Sequence, residues 1–272
     1  MRFAVILFVA LLAACPPVDD DDTQAEILEP EPPGAPTDVV DGRLPCLGNN
    51  APEDPIGGAV ELTGYSRILD DPTAEEEPPE FDVEVFSAAG ASLQTTTSNP
   101  GNDGRVNVTV PINDDGFEGW AMVTADGYLD FRFQSSRPVT QSEANGWTWT
   151  ATREELDAAA AELDVTLDPG LGVLVGATHD CDGFGMENVV IVVDGDAEAA
   201  YYVEGFDAVD GRTYSAISGR FAVPNVAVGA VTVKAFGRLE AGGPLTLLSS
   251  IETAVEAGGI TGLGLEPRVG LN

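Results

Sequence analysis

Phe81-Asp82-Val83-Glu84-Val85-Phe86 alternates apolar and acidic residues, and Val106-Asn107-Val108-Thr109-Val110 repeats the alternation with amide and hydroxyl side chains. Successive side chains of a β-strand point to opposite faces, so each stretch carries one apolar face and one wetted face. A half-buried antiparallel strand has this character. Working outward, residues 56–63, 120–124 and 128–133 read as further strands of the same unit. Ala89-Gly90, Asn102-Asp103-Gly104, Asp114-Asp115-Gly116 and Asp126-Gly127 separate the runs, each with a residue that tolerates the positive φ of a tight turn. Short strands recurring every ~8 to 12 residues predict a β-sandwich over residues 55–150. The acidic insert 70–80, with Pro72, Pro78 and Pro79, reads as an exposed loop.

Thr152-Arg153-Glu154-Glu155 has the form of a capping box, in which a Thr and the Glu three residues on satisfy each other's backbone N–H. Strong helix formers follow, with Leu156, Ala159, Ala160 and Leu163 on one face, so a single short helix is predicted within 151–164. Beyond it, residues 165–272 repeat the pattern of the first unit. Gly172-Val173-Leu174-Val175 opens a strand, and the β-branched run 189–193 suits a strand buried on both faces. Tyr201-Tyr202-Val203, residues 219–226 and the alternating Val231-Thr232-Val233-Lys234-Ala235-Phe236 follow. Gly104-Arg105 and Gly219-Arg220 stand at corresponding turns, as expected of an internal duplication at low similarity. The predicted fold is all-β, with two tandem antiparallel β-sandwich domains joined by one short connecting helix.

Ser218-Gly219-Arg220-Phe221, Pro224-Asn225-Val226, Gly229 and Thr232-Val233 together resemble the carboxypeptidase regulatory-like (transthyretin-like) β-sandwich, over most of residues 170–238. The first unit departs from that pattern. Its Asp103-Gly104-Arg105-Val106 lacks the aromatic, and Gly119 stands where a Pro-Gly turn is expected. The resemblance implies a fold and a surface location but no chemistry, because the module accompanies catalytic domains and is not one.

The N-terminus carries an address. Met1-Arg2 precedes an apolar run over residues 3–12, the grammar of a secretory signal peptide over 1–14. The run is too short to span a bilayer, which takes ~20 apolar residues. Leu12-Ala13-Ala14-Cys15 resembles the lipobox of bacterial lipoproteins. That resemblance implies a diacylglycerol on Cys15, removal of residues 1–14 and acylation of the new N-terminus, for example with palmitate. Pro16 in place of Asp after the cysteine resembles the enterobacterial lipoprotein sorting rule, and that resemblance implies an outer-membrane destination. Several acyl chains, at ~0.8 kcal/mol per buried CH2, hold a protein durably to a membrane. Residues 15–54 are rich in Pro and acids, including Asp19 to Asp22 and Pro30, Pro32, Pro33 and Pro36. Such composition predicts a disordered acidic linker that spaces the folded part from the membrane.

Asp and Glu number 46 against 12 Lys and Arg, a formal charge of −34 that rules out nucleic acid as a partner because phosphate would be repelled. With Cys15 lipidated, Cys46 and Cys181 remain as a pair in an oxidising compartment, and a disulfide between them is expected over two buried thiols. His179 is the sole histidine and falls in a predicted turn, as an exposed loop residue. No G-x-S-x-G, P-loop or dinucleotide fingerprint occurs, so no catalytic residue and no cofactor is assigned. Asp180 and Asp182, and Asp194 and Asp196, place paired acids across tight turns, a weak pattern for calcium that ordinary Asp-Gly turns also explain. Trp147 and Trp149 share one side of a strand and suit either domain packing or a carbohydrate platform. The expectation is a monomeric, non-enzymatic, membrane-anchored envelope module that contacts an unidentified protein or glycan. The alternative is a carbohydrate-binding or adhesion protein using Trp120, Trp147, Trp149, Tyr201 and Tyr202.

Overall fold

The computed structural model describes residues 26–47, 58–68, 78–102, 104–112, 116–140, 142–195, 197, 199–204, 207–209 and 211–267. The signal and lipobox residues Leu12, Ala13, Ala14 and Cys15 lie outside them, as do Asp196 and most of the acidic 70–80 insert. The strands of the first unit are β1 (Gly58–Ile68), β2 (Asp82–Ser87), β3 (Ser92–Thr97), β4 (Arg105–Ile112), β5 (Gly119–Thr124), β6 (Phe131–Ser135) and β7 (Glu143–Thr150). Helix α1 (Arg153–Ala161) follows. The second unit holds β8 (Gly172–Thr178), β9 (Val189–Asp194), β10 (Tyr201–Glu204), β11 (Asp207–Ala208), β12 (Arg220–Val226), β13 (Gly229–Arg238), β14 (Leu245–Val255) and β15 (Ile260–Leu265).

These strands build three sheets. One three-stranded sheet is ordered β4-β1-β7 and another β14-β13-β9, and a nine-stranded sheet runs β11-β10-β12-β8-β15-β6-β5-β2-β3. Both expected sandwiches are present, and this long sheet supplies one layer of each. The join is β15 beside β6 in parallel, with Ile260 opposite Phe131. Pairing is otherwise antiparallel except for β1 with β7 and β15 with β8.

The period of two explains how one sheet serves two cores. Along β8, Leu174 packs in the second core while its neighbours Val173 and Val175 pack in the first. Along β15, Leu263 and Leu265 face the second core and Ile260 the first. The two three-stranded sheets therefore cover opposite faces of the long sheet, at opposite ends. The alternation in β2 and β4 is realised, since Phe81, Val83, Val85, Val106, Val108 and Val110 are all buried in the first core. Helix α1 caps that core with Leu156, and its capping box is complete. Thr152 Oγ1 accepts from the Glu155 N–H at 3.2 Å, and the Thr152 N–H donates to Glu155 Oε2 at 2.6 Å.

One glycine holds the join together sterically. A Cβ on Gly262 of β15 would lie 2.3 Å from Cζ of Phe131, a ring that is only 2% exposed. Only a hydrogen leaves room for that ring across the seam.

The disordered linker expected over 15–54 is corrected for its described part. Residues 26–47 form a strap on the second sandwich. The Leu28 N–H donates to the Leu245 carbonyl and the Leu247 N–H to the Glu26 carbonyl, which adds a bridge at Ile27 and Thr246 to the β14 edge. Leu28 and Ala35 then cover Val190, Phe236, Leu245 and Leu247 on the outer face of the β14-β13-β9 sheet. This second cover is why β9 is buried on both faces, as its β-branched run predicts. Further along, Val40 donates to the Arg238 carbonyl at 2.9 Å and is 8% exposed, seated against Gly237, where a Cβ would meet Val40 Cγ2 at 2.0 Å. Arg238 holds both carboxylate oxygens of Glu31, at 2.8 and 2.5 Å, and donates to the Pro36 carbonyl at 2.7 Å. Composition alone predicts disorder here, but a few apolar residues at matched positions and a two-pronged ion pair override it.

Because one sheet runs through both sandwiches, calorimetric unfolding is expected to show a single transition. Gly262→Val should lower stability by about 1–3 kcal/mol through overpacking against Phe131. Two resolved transitions in the unsubstituted protein would show that the join does not couple the units.

Candidate functional site

The described residues of greatest chemical interest meet where the strap ends. The Arg43 N–H donates to Asp180 Oδ2 at 2.9 Å, and the Cys181 N–H returns to the Arg43 carbonyl at 2.9 Å. Three residues later Cys46 is joined to Cys181 by a disulfide, with Cα atoms 5.7 Å apart, inside the usual range of about 4.4–6.8 Å. The expected pairing of Cys46 with Cys181 is thus present. It closes a loop spanning 135 residues, which in the chain-entropy model contributes up to about 5 kcal/mol.

Asp180 organises this corner. It is 3% exposed, and its carboxylate accepts three backbone N–H groups, from Arg43, Asp182 and Phe184, each at 2.9 Å. Burial works to raise its pKa, but the three donors and the Arg43 charge outweigh it and hold the carboxyl below the usual range. A carboxylate ringed by N–H donors is arranged to close a turn. Asp182 instead pairs with the Arg43 guanidinium, and Asp194 lies 3.3 Å from Lys234 Nζ. Asp180 and Asp182 therefore do not converge on a common point, and Asp194 belongs to a different ion pair. Among the described residues no group of three or more His, Cys, Asp or Glu is placed to hold a metal ion.

His179 differs from its expected place. It is half-buried, its N–H donates to the Leu265 carbonyl at 2.8 Å, and it bridges Gly185. Burial depresses its pKa, against the raising influence of Glu266 and Asp180, with Arg220 lowering it further. The serines nearby are structural. Ser215 donates to the Met186 carbonyl at 2.7 Å and accepts from Val189, and Ser218 donates to the Val203 carbonyl at 2.6 Å. With each hydroxyl committed to main chain, neither stands as a nucleophile beside the imidazole.

The aromatic candidates divide. Tyr202 is a core residue, 2% exposed, whose hydroxyl accepts the Ile191 N–H at 2.9 Å, and burial pushes its pKa up to about 12. Trp120 stands on the outer face of the long sheet between neighbours from both flanking strands. The Phe86 ring stacks on it at 3.9 Å and the Arg132 guanidinium carbon lies 3.8 Å from its centroid. With its faces occupied by protein, Trp120 offers no open platform for a sugar. Tyr201 is partly exposed on β10. Trp147 and Trp149 lie in β7 as an extended pair, and their side chains are outside the described residues. Beside this face, a polar groove of about 200 Å³ runs between β6 and β14, lined by Gln134, Ser135, Ser136, Ser250, Ile251 and Glu252.

The lock of strap end to turn had one sequence signal, the even cysteine pair. Nothing in the sequence marked Arg43 as the partner of Asp180 and Asp182, because contacts 137 and 139 residues apart leave no local pattern.

No protein-family model and no curated protein matches the chain. Solved structures with similarity include a TIE protein of Bacillus anthracis (13% identity over 78% of this chain and 34% of that one, TM-score 0.27). The full-length major pilin RrgB of Streptococcus pneumoniae is similar at 11% identity, covering 79% of this chain and 49% of the pilin, with a TM-score of 0.25. Two B repeat units of the collagen-binding protein of Staphylococcus aureus give 10% identity over 77% and 48% of the two chains, with a TM-score of 0.23. The chain spans less than two thirds of each of these proteins. Scores this low carry no argument, so the β-sandwich assignment rests on strand order and register.

Linkage fixes the acid response of this corner. His179 titrates below its ordinary 6.5 when folded, so its contribution is fully present above that value and is lost as the pH falls from there through the lower folded value. Asp180 adds a second loss below its ordinary 3.8, as the pH falls through its still lower folded value. Melting temperature is expected to decline as the pH falls below about 6.5, and His179→Gln should flatten that decline while leaving the later acid loss in place. An unchanged slope in the variant would overturn the assignment to His179.

Proposed function

We propose that this chain is a lipid-anchored, non-catalytic module of the bacterial cell envelope that presents two fused β-sandwiches as a structural or interaction surface. The observation that carries this reading is the strap. It fastens the chain's N-terminal side to the body by a β-bridge, by the Glu31–Arg238 pair and by the Cys46–Cys181 disulfide. A load applied at Cys15 would be delivered through that strap to the second sandwich. Leu12-Ala13-Ala14-Cys15 supports the anchor through its likeness to a lipobox, and Pro16 supports an outer-membrane destination. The commitment of Ser215 and Ser218 to main-chain carbonyls supports a non-catalytic role.

Assignment of the second sandwich to the carboxypeptidase regulatory-like modules is part of the proposal. It is supported by Ser218-Gly219-Arg220-Phe221 leading into β12. The partner proposed is an envelope protein or glycan engaged by a monomer. The competing carbohydrate-binding reading loses Tyr202 to the core and Trp120 to its stack.

Growth with radiolabelled palmitate tests the anchor. Label is expected on the unsubstituted protein and absent from Cys15→Ala, which should also leave the membrane fraction. Unchanged localisation in Cys15→Ala would sink the anchor.

A further inference from the structure

The register of the second sandwich places the exposed large apolar side chains at one end. β13 finishes at Arg238 opposite Leu245 of β14, and Gly237 lies opposite Val189 at the start of β9. Thr178 closes β8 beside Leu265, and Met186 donates to the Thr178 carbonyl before the chain enters β9. The 180–185 turn, the 215–219 turn, the 238–245 connection and both ends of the strap thus share this end. Seven large hydrophobic residues are exposed in the described chain, and five of them are here. They are Phe184 (69%), Ile217 (68%), Ile27 (46%), Leu239 (44%) and Val39 (40%). Phe184 and Ile217 sit on adjacent turn tips, since a Cβ on Gly185 would lie 2.5 Å from the Ile217 carbonyl. Val228, also exposed, is on the β12–β13 turn at the opposite end.

The same end is where the N-terminal side leaves the fold, because Ile27 is bridged to Thr246. From Cys15 to Glu26 is 26 − 15 = 11 residues, a span of at most about 40 Å. This is shorter than the linker over residues 15–54 that composition predicts. Apolar residues raised on turn tips, at the end of the fold nearest the tether, match a surface that meets the headgroup–acyl boundary.

We infer that this end of the second sandwich lies against the membrane, with Phe184 and Ile217 entering the interface of a zwitterionic lipid surface. The inference rests on the anchor proposed above. A chain of charge −34 would be repelled by an anionic surface, so the lipid is of neutral headgroup. The first sandwich is joined alongside through β6 and β15.

Lipidated full-length protein in phosphatidylcholine vesicles, some containing brominated acyl chains, tests this. Phe184→Trp should gain emission that the brominated lipid quenches, and Val228→Trp emission that it does not. Quenching at both positions or at neither, in protein that co-floats with vesicles, overturns the orientation and leaves the anchor standing. Failure of the unsubstituted protein to co-float removes the anchor and the orientation with it. Emission of Phe184→Trp that is shielded from aqueous iodide and untouched by brominated lipid assigns the patch to a protein, and overturns the lipid assignment.

Discussion

The parallel pairing of β6 with β15 is the constraint on which the rest of the architecture depends. Without it, β6 and β15 would each be an open edge, with a row of unpaired N–H and C=O groups inviting association with another chain. Pairing them closes both edges at once and makes the hydrogen-bond ladder continuous from β11 to β3. The period of two then distributes side chains to both faces without conflict, so that Val173 and Leu174 serve different cores. The join needs a glycine because two backbones and the Phe131 ring meet there, and Gly262 provides the space. Bringing residue 131 to residue 260 costs closure entropy that grows only slowly with loop length, so this pairing is affordable to a chain of this size.

The strap shows how an acidic, proline-rich segment can be ordered without becoming a domain. Fixing a residue's backbone costs about 1–2 kcal/mol, and exposed ion pairs return little of that. Burial of Leu28 and Ala35 on the outer face of β13 and β14, and of Val40 in the second core beside Gly237, supplies the apolar part. The disulfide acts differently, by restricting the unfolded chain, and it does so at the far end of the strap. The segment is thus held at both ends, by β-pairing at Ile27 and covalently at Cys46. Prolines between those points reduce the entropy that ordering removes.

Much of this fold was legible where local pattern and tertiary role coincide. β2, β4, β9, β12 and β13 announce themselves by alternation or by β-branched runs, and the capping box at Thr152 locates α1. β14 and β15 carry no such signal, because Ser, Glu and Gly positions interrupt the apolar pattern of Leu245–Val255 and Ile260–Leu265. β3 is nearly all exposed Ser, Gln and Thr, so it carries no apolar face to find. The seam was invisible because a parallel pairing 129 residues apart leaves no turn signature. At the candidate site, cysteine counting found the disulfide. The fate of Asp180 was not readable, because a turn acid that binds a cation and one that accepts its own backbone N–H groups look alike until the chain is folded.

The charge balance takes on a different meaning once the cations are placed. Arg43, Arg137, Arg153, Arg212, Lys234 and Arg238 all have carboxylate partners within the fold. Three of these six fasten the strap, through Asp182, Glu26 and Glu31. These six cations therefore act internally, in a chain whose acids outnumber its cations 46 to 12. So large a net charge keeps a chain soluble and makes it repel its own kind. Salt weakens the three strap pairs by screening, but it leaves the disulfide and the buried Val40 in place. The strap therefore depends on charge for its fit and on covalent and apolar contacts for its permanence.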